Sequence, residues 1–193
     1  MLARIVRHAE RQKMPSELGI FDSSFDEALV PITQTGIKAC RDNANVLLKD
    51  CSLIYHSPIL RCRQTAEHIN YQNSLINMGE ITCLMSEYFG ELKDLNEVRK
   101  KLVIDNLLNG RDELGLGIDT KMNYLFNWIK SNSIRGSIVY VTHDWWMALF
   151  LSYFTDLFKQ DGYNIWPDFL EYFEIDFDQN HITYRDRIWK MLF

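Results

Sequence analysis

The chain reads as a three-layer α/β/α domain around a mostly parallel sheet, with an antiparallel hairpin at one edge. Three observations predict this. Strand-like and helix-like stretches alternate along most of the sequence, the pattern of parallel α/β folds. Ser137-Ile138-Val139-Tyr140-Val141 is apolar on successive residues, as in a strand covered on both faces. With 193 residues, 47% of them apolar, the chain is long enough for one sizeable core or a core plus a small insertion.

The elements follow in order. Leu2-Ala3-Arg4-Ile5-Val6 reads as a first strand and stops at Arg7-His8-Ala9-Glu10-Arg11. Lys13 to Pro31 has no clear periodicity and reads as a long loop. From Gln34 to Lys49, Ile37, Cys40, Ala44, Leu47 and Leu48 fall on one helical face. Ser52 to His56 is a second strand. Ser57 then reads as an N-cap, with Pro58 at the first helical position of a helix carrying Arg61, Thr65, Ala66 and Ile69. Tyr71 to Gly117 follows no single pattern and is expected to hold an inserted helical subregion that covers the site.

Thr120 to Lys130 is helical, with Met122, Leu125, Phe126 and Ile129 on one side. The strand Ser137 to Val141 ends in Thr142-His143-Asp144, and Trp145 to Phe158 reads as one helix. Phe173, Ile175 and Phe177 alternate with acidic residues, Asp178-Gln179-Asn180 suits a turn, and Ile182 and Tyr184 alternate again. This is the edge hairpin. A single domain over residues 1–193 is expected, with residues 71–117 as its cap or insert.

The formal net charge of −5 argues against nonspecific binding to nucleic acid or to an anionic membrane. The four cysteines form no CxxC pair and no zinc spacing, so reduced thiols and a cytoplasmic location are expected. Charges at Arg4 and Arg7 argue against a secretory leader. The apolar run Met147 to Phe154 is too short to span a bilayer.

Chemistry concentrates at strand ends. Parallel strands put their carboxyl ends on one edge, where open α/β sheets bind ligands. His8 and His143 each follow a strand, and Arg61 opens the helix after another, so these residues are expected to converge with Arg7 and Arg11. A guanidinium offers a phosphate two parallel hydrogen bonds, and imidazole serves as nucleophile or proton carrier near neutral pH. Phosphate chemistry on a histidine is the reading. Other candidates read as structural: His56 at a strand end, His68 and His181 at the surface, Arg63 pointing away from Arg61, Trp145 and Trp146 in the core, and Thr65 and Ala66 as helix packing.

These segments resemble the histidine phosphatase superfamily, with its phosphoglycerate mutase-like fold. Arg7-His8-Ala9-Glu10 is similar to the family's Arg-His-Gly-Glu, and Thr33-Gln34-Thr35-Gly36 to its Leu-Thr-x-x-Gly, with Ile32 in the Leu place. Ser57 to Ala66 is similar to Ser-x-x-x-Arg-x-x-Gln-Thr-Ala, and Val141-Thr142-His143 to the second-histidine strand. Arg-His-x-Glu-Arg with Leu-Arg-Cys-x-Gln-Thr-Ala is most similar to the Sts (suppressor of T-cell receptor signalling) and ecdysteroid-phosphate phosphatase branch.

The resemblance implies a metal-independent phosphomonoester hydrolase without cofactor, acting on a small-molecule or protein phosphomonoester, with a homodimer left open. It implies His8 as nucleophile, Arg7, Arg11, Arg61 and His143 as phosphate ligands, and His143 as a catalytic partner. A carboxylate in a segment resembling Leu-x-Glu-x-x-x-Gly supplies the proton. Met85 to Gly90 fits with one residue fewer, which makes Glu87 the candidate; Glu91, Glu80 and Asp144 are the alternatives. Ala9 stands where the family usually has Gly, which matters if the backbone there needs a positive φ. Asp144 follows His143 where small residues are common, and is expected to cap the Trp145 helix. A phosphomutase and a catalytically weakened phosphate-binding scaffold are the competing functions.

Overall fold

A computed structural model gives the fold. It describes residues 1–14, 17, 26–85, 104–105, 117–133, 136–162 and 166–192. The strands are β1 (Leu2–Arg7), β2 (Cys51–His56), β3 (Ile76–Glu80), β4 (Ser137–Thr142), β5 (Tyr172–Asp176), β6 (His181–Tyr184) and β7 (Arg187–Lys190). The helices are α1 (Gln34–Leu47), α2 (Leu60–Ile69), α3 (Ile118–Ser133), α4 (Asp144–Phe154) and α5 (Leu157–Asp161). Short 3-10 turns lie at Glu27–Leu29 and Thr82–Leu84.

The strands form one sheet in the order β3-β2-β4-β1-β5-β6-β7. The first four are parallel, and β5, β6 and β7 run antiparallel to their neighbours. The expected α/β class with a mostly parallel core is borne out. Successive side chains of a strand point to opposite faces, and each inner strand feeds two cores. Ala3, Ile5, Ile138 and Tyr140 pack with α3 and α4. Val6, Ile54, Val139 and Val141 pack with α1 and α2. This explains the unbroken apolar run of β4.

Register brings the strand ends level. Arg7 lies opposite Thr142, and His56 opposite both Val141 and Glu80. The residues that follow are stitched across the edge: His8 N–H donates to Thr142 O and Ser57 N–H to Val141 O, each at 2.9 Å.

At the opposite end of β1, buried Arg4 donates to the carbonyls of Val46 (2.9 Å) and Leu47 (2.7 Å) at the end of α1. Its Nε bonds Glu174 at 3.1 Å. The cation thus sits at a helix carboxyl end, where the backbone dipole favours it.

Three expectations need correction. Residues 76–80, within the stretch expected to be a helical insert, form the parallel edge strand β3. Helix α2 starts at Leu60, with Ile59 as its N-cap and no side-chain cap, so Ser57 is not the cap and Pro58 is not helical. The helix expected from Trp145 to Phe158 is broken at Thr155 and Asp156, where the Thr155 hydroxyl accepts from Leu157 N–H at 3.3 Å. The expected edge hairpin is present as β5 and β6, and Arg187–Lys190 extends it with β7 into a three-stranded meander.

Candidate active site

His8 follows β1 and is 3% exposed. Its Nδ1 lies 2.7 Å from Ala9 O, and its Nε2 accepts from Arg61 Nε at 3.2 Å. A carbonyl needs a donor and a guanidinium needs a lone pair. The proton is therefore assigned to Nδ1, and Nε2 carries the lone pair that a nucleophile needs. Burial first, then the Arg61 charge, pushes the His8 pKa down to about 3. The ring is neutral at physiological pH.

His143 follows β4, is equally buried, and meets the His8 ring edge-on with centroids 5.5 Å apart. Its Nδ1 faces Arg61 Nη2 at 3.4 Å and its Nε2 faces Ser57 Oγ at 3.1 Å. Burial, with Arg61 second, holds its pKa well below the ordinary value. Arg61 lies in the first turn of α2 and touches both histidines, while its Nη1 is fixed by Glu27 O at 2.9 Å. A site built on one guanidinium between two neutral imidazoles is suited to an anion.

Arg7 approaches from the other side. It donates from Nη1 to Pro167 O at 2.6 Å, pairs through Nη2 with Asp144 Oδ2 at 3.1 Å, and lies 4.1 Å from the Phe169 ring centroid. Its Nε is buried and has no hydrogen-bond partner among the described residues. Phe169, 40% exposed, also stands 5.7 Å from the His8 ring. It sits on a turn in which Leu170 has φ 59°, braced by Asp168 N–H to Glu171 Oε2 (2.8 Å) and by Arg185 and Tyr184 on Glu171.

Arg11 is held by Glu17 through two hydrogen bonds of 2.7 and 3.1 Å, and this pair lowers the Glu17 pKa. Arg61 lies within its electrostatic reach. Glu80 is exposed at the end of β3. Glu87 and Glu91 lie outside the described residues. Asp144 is the first residue of α4 and not its expected cap, a place taken by His143; its Oδ1 does take Trp145 N–H at 2.7 Å, and its Oδ2 also meets Arg7.

Ala9 needs no positive φ and is fully buried, so its methyl group is accommodated. It packs against Gly36, where an added Cβ would come 2.5 Å from Glu10 O. Thr33 completes this junction. Its hydroxyl caps α1 through Gly36 N–H (2.9 Å) and donates to Glu10 Oε2 (2.6 Å).

Sequence reasoning assigned Thr65 to packing, but its hydroxyl accepts from Ala9 N–H at 3.0 Å and donates to Arg61 O at 2.7 Å, joining both motifs. Gln64 Oε1 takes Ile32 N–H at 2.9 Å. The place of Thr65 one turn after Arg61 fits helix packing equally well, so the sequence held no signal for the role of its hydroxyl. Trp145 and Trp146 are buried, as expected, and so is His56. Arg63 is exposed beside Glu67. His68 and His181 are half-buried rather than fully at the surface. Burial pushes the Cys62 thiol, beside His143, up to about 12, so it is no rival nucleophile.

The family model of the histidine phosphatase superfamily (branch 1) matches residues 4–188. The chain belongs to the histidine phosphatase superfamily, branch 1. This bears out the expected enzyme type. No curated protein matches the chain in sequence. Among solved structures, this superfamily member is similar to a phosphoserine phosphatase from Entamoeba histolytica in complex with 3-phosphoglyceric acid. Identity is 19%, the TM-score is 0.61, and the match covers 98% of this chain and 96% of that one. It is also similar to an alpha-ribazole phosphatase from Shigella flexneri (19% identity, TM-score 0.60, 96% and 95% covered). A phosphoglycerate mutase from Bacillus anthracis matches at 12% identity and TM-score 0.60, over 100% and 91% of the two chains. At these identities the likeness is one of fold.

Proposed function

We propose that the protein is a metal-independent phosphomonoester hydrolase working through a phosphohistidine on His8. One observation carries the reading: a buried His8 ring whose Nδ1 lies against Ala9 O and whose Nε2 faces the Arg61 guanidinium. In the first step Nε2 attacks phosphorus, the P–N bond forms and the bond to the ester oxygen breaks. That oxygen takes a proton from a carboxylic acid. In the second step water attacks phosphorus, gives its proton to the same carboxylate, and the P–N bond breaks to restore His8.

Charge spread over the non-bridging oxygens is met by Arg61, Arg7 and His143, fixed donors that do the work a metal does elsewhere. Bound phosphate would also favour a proton on His143. Arg11 joins them once phosphate replaces Glu17 as its partner. Glu87 is our acid. Leu84, three residues before it, is fastened by the Thr142 hydroxyl at 2.6 Å, and Thr142 adjoins His143. Asp144 meets donors in Arg7, Trp145 N–H and the Trp166 indole, an acceptor's position.

Within the superfamily we assign the chain to the Sts and ecdysteroid-phosphate phosphatase branch, on its motif pattern. We place it in the cytoplasm, supported by free cysteines at all four positions. Among the described residues no helix is long and apolar enough to cross a membrane.

The test is hydrolysis of p-nitrophenyl phosphate. It should persist in EDTA, be inhibited by vanadate, and disappear with phosphoenzyme trapping in His8→Ala. Undiminished turnover in that variant, or a requirement for added metal, would overturn the mechanism. Glu87→Gln should slow esters of poor leaving groups far more than p-nitrophenyl phosphate. Equal losses would assign the proton to another group.

A further inference from the structure

We propose that Asp144 is a positioning residue that fixes Arg7 and lowers the pocket's affinity for phosphate, so that the product is released. This rests on reading the His8 pocket as a phosphoryl site. Asp144 follows His143 directly and opens α4. Its carboxylate is held on both oxygens, Oδ1 by Trp145 N–H at 2.7 Å and Oδ2 by the Trp166 indole at 3.2 Å. From that fixed place Oδ2 meets Arg7 Nη2 at 3.1 Å, with the Asp144 side chain 27% exposed and that of Arg7 14%. Pro167 O and the Phe169 ring close on the same guanidinium. Arg7 is thus clamped from three sides, one of them anionic.

The charge balance gives Asp144 a second effect. His8 and His143 are neutral and Arg11 is paired with Glu17, so the pocket's charge comes chiefly from Arg61 and Arg7, and Asp144 offsets one of those two. A phosphate dianion that engages Arg7 must approach the Asp144 carboxylate in a partly desolvated site, where like charges repel more than in water. This weakens substrate and product binding together. Such weakening raises KM and hastens departure of inorganic phosphate, which sets kcat when release is slow.

The sign of one measurement separates this from a structural role. Asp144→Asn keeps the shape and an acceptor oxygen but removes the charge. Calorimetric titration with inorganic phosphate should give a Kd about tenfold lower than wild type. KM and kcat should fall together. The gap in Kd should narrow as salt is added. Asp144→Glu, which restores the charge, should return phosphate affinity toward the wild-type value. If Asp144 only holds Arg7 in place, Asn loosens the clamp and phosphate binds more weakly. That result, or an unchanged Kd, overturns the proposal. Should the Asn variant not fold, Asp144→Ser gives the same comparison of sign. Wild-type protein that neither binds phosphate nor releases it from any monoester in a His8-dependent way would instead sink the phosphoryl-site reading itself.

Discussion

At His8 two hydrogen bonds and burial set the state of the ring, and both come from residues that adjoin it in the fold. The nearby Thr65 hydroxyl shows how little tolerance this leaves. It is the partner of Ala9 N–H, which is buried just after His8. Thr65→Val preserves volume and leaves that N–H unpaired, at a cost of about 1–3 kcal/mol. A displaced ring should lower kcat by about 10- to 100-fold. Thr65→Ser should recover most of both. Urea denaturation with p-nitrophenyl phosphate kinetics checks this, and a valine variant with wild-type stability and kcat would remove Thr65 from the site's support. His8, His143 and Arg61 were legible in the sequence because strand ends of a parallel sheet must share an edge. Thr65 was not, since a buried threonine on a helix has the same pattern whether or not its hydroxyl is used. Phe169 and the Asp144–Arg7 pair were invisible for a different reason: only tertiary packing brings residues so distant in sequence to β1.

Among the elements, the junction of β1 with α1 depends most on one small side chain. Gly36 lets the first turn of α1 lie against the backbone of Glu10, where any Cβ would meet the carbonyl at 2.5 Å. Gly36→Ala must push the two apart and should destabilise the fold by about 1–3 kcal/mol. Because the displaced backbone leads directly to His8, kcat should drop as well. A denaturant midpoint equal to wild type would contradict this. The element-level reading from sequence worked where burial is two-sided, as in β4, and where a helical stripe is apolar, as in α1. It missed β3, an exposed edge strand whose sequence Ile-Asn-Met-Gly-Glu includes Gly79 at φ 90°. It also placed the start of α2 too early, because Ser57-Pro58 has the look of a helix start while the Ser57 hydroxyl is turned to His143.

For the whole molecule, two buried neutral histidines link stability to pH. The unfolded chain binds protons at these positions below about pH 6.5. The folded His8 takes one only near about 3, and folded His143 also resists protonation. The unfolded state therefore gains protons first as pH falls. Stability is complete above about 6.5 and is lost below it, by at most about 1.4 kcal/mol per pH unit for each histidine. Denaturation at pH 7 and pH 5 should show this slope, and His8→Gln should remove its share. An unchanged slope would mean that the ring is not held neutral by the fold.

The position of β1 in the sheet has a consequence for how the protein is made. Ala3 pairs with Ile138 on one side and Ile175 on the other. A strand that leaves the ribosome early thus waits for partners translated much later. Its contacts close very long loops, which makes for slow folding and for an apolar strand exposed in the interim. The sheet around the nucleophile is complete only once the meander has docked against β1. A nascent chain stopped short of Tyr172 carries every histidine assigned to the site and still lacks β5, the antiparallel partner of β1, and the Tyr184 and Arg185 that brace the turn of Phe169.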